Sequence, residues 1–321
     1  MTAYTGIQGQ NILITASDPS NPTEGQIWYN TTSNTLKDYQ YFATNSWSSG
    51  GTLNTARSQG AAAGISTAAL MFGGSPNLSS GTGATESYNG STWTTVNSLT
   101  NTNRYVLGAG TQSSALRIGG YPDTDTVESW GGTSWTAGTN FPTTISQGAA
   151  TGNSNTAIMV IGGEIPSRTT NTFKYNGTSW TSGGSLTGSA RSNNAACGIT
   201  TAALAFGGGT STGSIAETES YNGSTWTSVT SLNTARSNLG GAGTNTLAVA
   251  FGGAAALTAT ELWNGSTWTT NPNSMTTGLN NMGYTGTQAA ALSIGGSPPT
   301  QGTTQLFTGP GAPVTKTITT S

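Results

Sequence analysis

The chain has 321 residues, nine Lys plus Arg against eleven Asp plus Glu, no histidine, and a net charge of −2. So small a charge leaves no electrostatic footprint for nucleic acid or an anionic membrane, and the missing imidazole excludes His-activated nucleophiles and histidine metal ligation. Gly, at 47 residues, would suit disorder, but nine Trp, ten Tyr and seven Phe recurring at a fixed period predict a packed core.

The N-terminus lacks the basic-then-apolar pattern of a secretion signal, and no apolar run approaches membrane-spanning length, so a soluble protein made in a cytoplasm is expected. A single cysteine, Cys197, excludes an internal disulfide. Its setting among Ala195, Ala196 and Gly198 reads as a small buried position. Residues 1–37 stand apart as an extension. Ile12-Leu13-Ile14 is a short strand, broken by the Pro19 and Pro22 region. Gln26–Asn30 and Thr35–Tyr39 flank a polar turn and predict a β-hairpin, which must pack on something to be stable.

From about residue 38 one phrase recurs six times: an apolar run ending in a Gly pair. The first glycines are Gly73, Gly119, Gly162, Gly207, Gly252 and Gly295, at intervals of 46, 43, 45, 45 and 43 residues. A period in this range means one repeated supersecondary unit. Each unit reads as four short strands. The first is built of Ala and Gly, as in Gly60–Gly64, and makes sense where innermost strands crowd a central channel. The second is the apolar run, the third resembles Thr85-Glu86-Ser87-Tyr88, and the fourth carries a tryptophan. In four units an Asn-Gly pair joins the last two, a type I′ hairpin signal. The last unit lacks its Trp strand while the N-terminus carries a spare one at Trp47. Ring closure explains both, and an open solenoid explains neither.

The six periodic tryptophans, Trp47, Trp93, Trp135, Trp180, Trp226 and Trp268, are expected to wedge between neighbouring sheets. Arg57, Arg104, Arg191 and Arg236 precede their Gly pairs by 15 or 16 residues, and Glu86, Glu128, Glu219 and Glu261 share one third-strand position. The two sets are present or absent together, which predicts four structural pairs: Arg57–Glu86, Arg104–Glu128, Arg191–Glu219 and Arg236–Glu261. Four equivalent pairs do not make one catalytic centre.

Connections after the Gly pairs vary in length and content, whereas the turns at the other end of the strands are nearly invariant. Strand order collects the variable connections on one face, where binding is expected. Asp123, Asp125, Glu164 and Arg168 lie on two of these loops and are the candidate binding residues. Solvated loop charges are the plainer reading of the carboxylates, with a Ca²⁺ site the alternative. No catalytic residue, metal ligand set or cofactor motif is identified, and a non-enzymatic protein is expected.

Gly-Gly after an apolar run, then an aromatic, then a Trp, with Arg opening the unit, resembles the kelch repeat over about Tyr39 to Gly309. The resemblance implies an all-β, six-bladed β-propeller of four-stranded blades over residues 38–312, closed by an N-terminal strand, with 313–321 a C-terminal tail. These units depart from it in their Ser, Thr and Asn content and in the missing arginines. The phrase Asp18-Pro19-Ser20-Asn21-Pro22-Thr23-Glu24-Gly25-Gln26-Ile27-Trp28-Tyr29-Asn30-Thr31-Thr32 resembles a segment of tail-fibre and other virion proteins of bacteriophages, marine ones especially. It implies a virion component assembled in a bacterial host cytoplasm, docked to other virion proteins through residues 1–37 and meeting a host-surface glycan or protein through the variable face. No nucleic-acid partner and no membrane insertion are expected, and a homo-oligomer is compatible. The alternatives are a capsid decoration protein or head fibre, and an intracellular kelch-type protein-interaction adaptor.

Overall fold

The computed structural model describes residues 12–19, 26–41, 45–310 and 313–318. The chain divides into two compact units, Met1–Thr44 with Gly309–Ser321, and Asn45–Thr308.

In the smaller unit, Ile27–Asn30 and Thr35–Tyr41 form the expected antiparallel hairpin, joined by a parallel strand, Leu13–Thr15. Pro313–Ile318 completes the sheet, antiparallel to the hairpin's second strand, with Leu36 opposite Ile318. The segment expected to be a tail is therefore a strand, and the repeat domain begins at 45 rather than 38. Its Thr-rich alternation suits a ladder strand, and its partner is Thr35–Tyr41, out of sight in sequence by nearly the whole chain. Trp28 is fully buried, and its indole N–H donates to Asp18 at 3.1 Å. Asp18 also accepts from Asn30 Nδ2 at 2.7 Å and forms an ion pair with Lys37 at 2.7 Å. These bonds, that to Lys37 first, hold the Asp18 carboxyl at about 2, below its ordinary 3.8.

The larger unit is all-β, a propeller-like series of four-stranded antiparallel sheets. The first sheet takes strands Ala61–Ile65, Ala68–Phe72, Thr85–Tyr88 and Trp93–Val96 in sequence order. The second runs from Leu107 to Ala137, the third from Ala149 to Ser182, the fourth from Ala195 to Val229 and the fifth from Gly240 to Thr270. The sixth combines Gly283–Gly286, Ala290–Gly296 and Gln301–Thr308 with the distant strand Ser46–Ser49. In that pairing Trp47 lies opposite Phe307.

The core lies between sheets rather than within them. Phe72, Val106, Trp130 and Trp135 pack the first sheet on the second, and Phe206, Leu239, Trp263 and Trp268 pack the fourth on the fifth. Met71, Tyr88, Trp93, Leu292 and Ile294 pack the first on the sixth. The second strand of each sheet, such as Ala69–Phe72, is fully buried because both of its faces meet such a layer. The glycines of the first strands have a purpose that composition does not reveal. A Cβ at Gly108 would lie 2.6 Å from the ring of Phe72, and one at Gly241 would lie 2.4 Å from that of Phe206. Each is a seat for an aromatic side chain of the preceding sheet.

Five of the periodic tryptophans are buried, and each reaches back one sheet to a threonine hydroxyl. Trp47 donates to Thr260, Trp93 to Thr304, Trp135 to Thr85, Trp226 to Thr172 and Trp268 to Thr218, at 2.9 to 3.1 Å. Trp180 is the exception. The position that should receive it is Val127, which has no hydroxyl. Its indole instead donates to the Thr139 carbonyl at 3.0 Å, and the ring is only half-buried.

The Asn-Gly turns are also not type I′. Gly90 has φ 94°, but Asn89 is outside the left-handed region. The turn spans four residues, and Asn89 Oδ1 accepts from the amides of Ser91 and Thr92 at 3.0 and 2.9 Å. An Asx cap therefore does what the I′ geometry was expected to do.

Candidate functional site

The expected Arg and Glu sets are the first residues to place. Arg57 Nη1 donates to Glu86 Oε1 at 2.5 Å, Arg191 Nη2 to Glu219 Oε1 at 2.8 Å, and Arg236 Nη2 to Glu261 Oε1. All six side chains are almost wholly buried. The second oxygen of each Glu accepts a backbone amide of the loop before its arginine, Asn54, Thr187 and Asn233 respectively. The pair thus pins a loop to a sheet. Burial pulls each guanidinium below its usual range, and the facing carboxylate pulls it back.

The fourth expected pair, Arg104–Glu128, is a correction. Glu128 accepts the loop amides of Thr100 and Asn101 at 2.8 and 3.1 Å, as its counterparts do, but Arg104 points elsewhere. The buried cation there is Arg117, on the second strand and directly opposite Glu128 in register. It donates to Asn103 Oδ1 and, at 2.7 Å, to Thr126 Oγ1, and burial pushes it down to about 10 against the opposing influence of Glu128. The counterpart of Arg117 in the first sheet is Met71, opposite Glu86. A cation has therefore moved from the loop to the strand. The spacing holds the clue: Arg57, Arg191 and Arg236 stand 16 residues before their glycine, and Arg104 stands 15. The true counterpart of Arg57 is Asn103, and in the third and sixth sheets it is Ile145 and Leu279. Glycine amides mark the series, since Gly74, Gly120, Gly163, Gly208, Gly253 and Gly296 donate to the carbonyls of Asn103, Ile145, Arg191, Arg236, Leu279 and Arg57 at 2.7 to 3.1 Å.

Freed from the interior, Arg104 lies with its guanidinium carbon 4.7 Å from the ring centre of Tyr121 and 5.6 Å from that of Tyr105. Its Nη1 donates to the Leu78 carbonyl at 2.5 Å. Tyr121 and Leu78 are among the exposed large side chains. This aromatic and cationic cluster was not among the candidates, because Arg104 had been assigned inward.

The four candidate binding residues lie on two neighbouring loops but do not converge. Asp123 Oδ1 accepts from Ser146 Oγ at 3.1 Å, Asp125 Oδ2 from Asn140 Nδ2 at 3.3 Å, and Glu164 Oε2 from Gln147 Nε2 at 3.1 Å. Arg168 Nε donates to Ser192 Oγ at 3.2 Å, and a two-residue ladder sets Glu164 opposite Arg168. Among the described residues no group of three or more His, Cys, Asp or Glu is placed to hold a metal ion. Glu164 and Arg168 line a shallow groove with Ser189, Ala190, Thr212 and Ile215.

Every variable connection leaves a second strand at its Gly pair, the same end at which the first strands begin. The residues opening the first strands are Gln59, Tyr105, Gln147, Asn193, Asn238 and Asn281, all with φ between 52° and 61°. Backbone amides link them in succession: Gln147 donates to Tyr105, Asn193 to Gln147, Asn238 to Asn193, Asn281 to Asn238 and Gln59 to Asn281, at 2.6 to 3.4 Å. The left-handed conformation favours Asn among residues with a side chain. This rim opens on a cavity of about 190 Å³ lined by the first strands of all the sheets. Cys197 lines it too, buried at 4 % exposure, and its burial holds the thiol well above the usual range. No family model matches the chain, and no curated protein matches it in sequence.

Proposed function

We propose that the protein is a non-enzymatic structural component of a bacteriophage particle, of the tail-fibre, receptor-binding kind. In this reading the larger unit is a six-bladed, kelch-like β-propeller closed by Ser46–Ser49, and its variable loop face meets the host surface. Residues 1–37 fasten it to other virion proteins. Shared cores and tryptophan–threonine bonds between successive sheets support the propeller, including those that join the sixth sheet to the first. The phrase from Asp18 to Thr32 supports the virion setting, and its Asp18, Trp28 and Asn30 form one hydrogen-bonded knot with Lys37.

The observation that carries the reading is how charge is spent. The buried Arg–Glu pairs pin loops inside the sheets, while Arg104, Asp123, Asp125, Glu164 and Arg168 remain on the loop face beside the exposed Tyr121. A rigid scaffold with its varied polar side chains gathered at one end is suited to recognition. The test has two arms. Deleting residues 1–37 should abolish incorporation into particles while leaving the periodic tryptophans buried by fluorescence. The full chain should adhere to host cells, and replacing Tyr121 and Arg168 by Ala should weaken adhesion. Failure of adhesion combined with capsid instability on deletion would favour a decoration role.

A further inference from the structure

We propose that the rim and upper cavity of the first strands form a binding site for an uncharged, hydroxyl-rich ligand, a neutral saccharide end. This deepens the recognition role proposed above by naming a place and a ligand class, and it rests on that reading only for its biological setting.

Three observations lead there. The rim carries five carboxamides, Gln59, Gln147, Asn193, Asn238 and Asn281, and one phenol, Tyr105, all turned by left-handed backbone at the cavity mouth. The cavity lining contains no Asp, Glu, Lys or Arg. A charged ligand would shed its hydration there with no counter-ion, and an apolar one would bury amides without partners. Carboxamides offer donors and acceptors side by side, which is the pattern that vicinal hydroxyls match.

The second observation is unspent hydrogen-bonding capacity. Asn193, Asn238 and Asn281 each donate through Nδ2 to a neighbour, Gln147, Ser237 and Asn280 respectively, and among the described residues no hydrogen bond reaches their Oδ1 atoms. All three line the cavity. Three acceptors at one mouth are thus open to hydroxyl donors. At about 190 Å³ the space far exceeds the ~10–15 Å³ that admits one water.

The third observation breaks the symmetry of the rim. Only Tyr105 is aromatic, and Arg104 lies against both it and the exposed Tyr121. A sugar ring presents an apolar face of C–H groups as well as hydroxyls, and an aromatic wall beside an amide rim can receive both.

The experiment titrates the full-length protein with uncharged mono- and disaccharides, and with a uronic acid and an amino sugar as charged comparators, by ligand-observed NMR and calorimetry. Neutral sugars should bind at millimolar or tighter affinity, at least tenfold better than the charged ones. Asn238→Gly keeps the left-handed backbone and removes one carboxamide. Tyr105→Asn puts at this left-handed position the residue that three of its counterparts carry and removes the aromatic side chain of the rim. Each should weaken binding at least fivefold with an unchanged melting temperature. No neutral sugar binding to folded protein would overturn the site, as would binding unchanged in both variants. Cell adhesion that no neutral sugar competes would sink the site and leave the adhesion reading standing. Sugar binding without adhesion would do the reverse.

Discussion

The indole N–H of Trp93 donates to the hydroxyl of Thr304 at 2.9 Å, across 211 residues of chain. Both groups are buried, and the bond joins the fourth strand of the first sheet to the third strand of the last. The same bond, repeated from sheet to sheet, fails at Trp180 because Val127 replaces the threonine. Two substitutions exploit that contrast. Thr304→Val keeps the shape and strands a buried N–H, and should cost about 1–3 kcal/mol. Val127→Thr offers Trp180 a hydroxyl and should stabilise by about 0.5–1.5 kcal/mol while blue-shifting its emission. Urea unfolding followed by tryptophan fluorescence reads both.

The buried ion pairs make a prediction with its own internal reference. Removing one partner, as in Glu86→Ala, leaves Arg57 charged and unpaired at 0 % exposure and should cost about 3–5 kcal/mol. The sixth sheet already fills the two positions with Leu279 and Gln305, and Gln305 Oε1 still accepts the loop amide of Thr277 at 3.1 Å. The double variant Arg57→Leu with Glu86→Gln should therefore recover most of the loss. A double variant no more stable than Glu86→Ala would show that the pair is worth more than the loop bonds it shares.

Asp18 gives the smaller unit an acid limit. Its carboxyl is held at about 2 against an ordinary 3.8, so folding favours the ionised form. That contribution is present above pH 4 and is lost as the pH falls through 2. Trp28 emission should shift to the red over this window. Asp18→Asn should remove the step, and high salt should reduce it because the group is exposed.

Cys197 should be unreactive in the native state. It is buried, its Sγ donates to the Thr244 carbonyl at 3.3 Å, and its thiol is shifted up by burial. A thiol-specific probe should label it at least a hundredfold more slowly in buffer than in denaturant. Rapid labelling of folded protein would show that the cavity opens far enough to admit the reagent.

Much of this architecture could be read from the residues, because periodic Gly pairs and tryptophans report packing that repeats. Gly73 and Gly74, for instance, take φ of 64° and 99°, and a Cβ on Gly74 would lie 2.5 Å from the Ser58 carbonyl. What escaped notice depended on a partner far along the chain. The strand Pro313–Ile318 has no signal of its own beyond alternation. Arg117 looked like one more residue of an apolar run, and a one-residue offset disguised Arg104 as its neighbours' equal. The amide rim escaped for a different reason. Gln, Asn and Tyr before a strand are unremarkable singly, and only their common left-handed backbone brings them to one mouth.

Ser46–Ser49 pairs with Gln305–Thr308, and Thr35–Tyr41 with Pro313–Ile318. Both units therefore stay incomplete until residues 305–318 have been made. Until then the earliest strands present bare edges, ready to pair with whatever is near, including the same segment of another nascent copy. Long-range closures of this kind fold slowly. A chain cut before residue 305 should accordingly aggregate rather than behave as a slightly shortened functional protein.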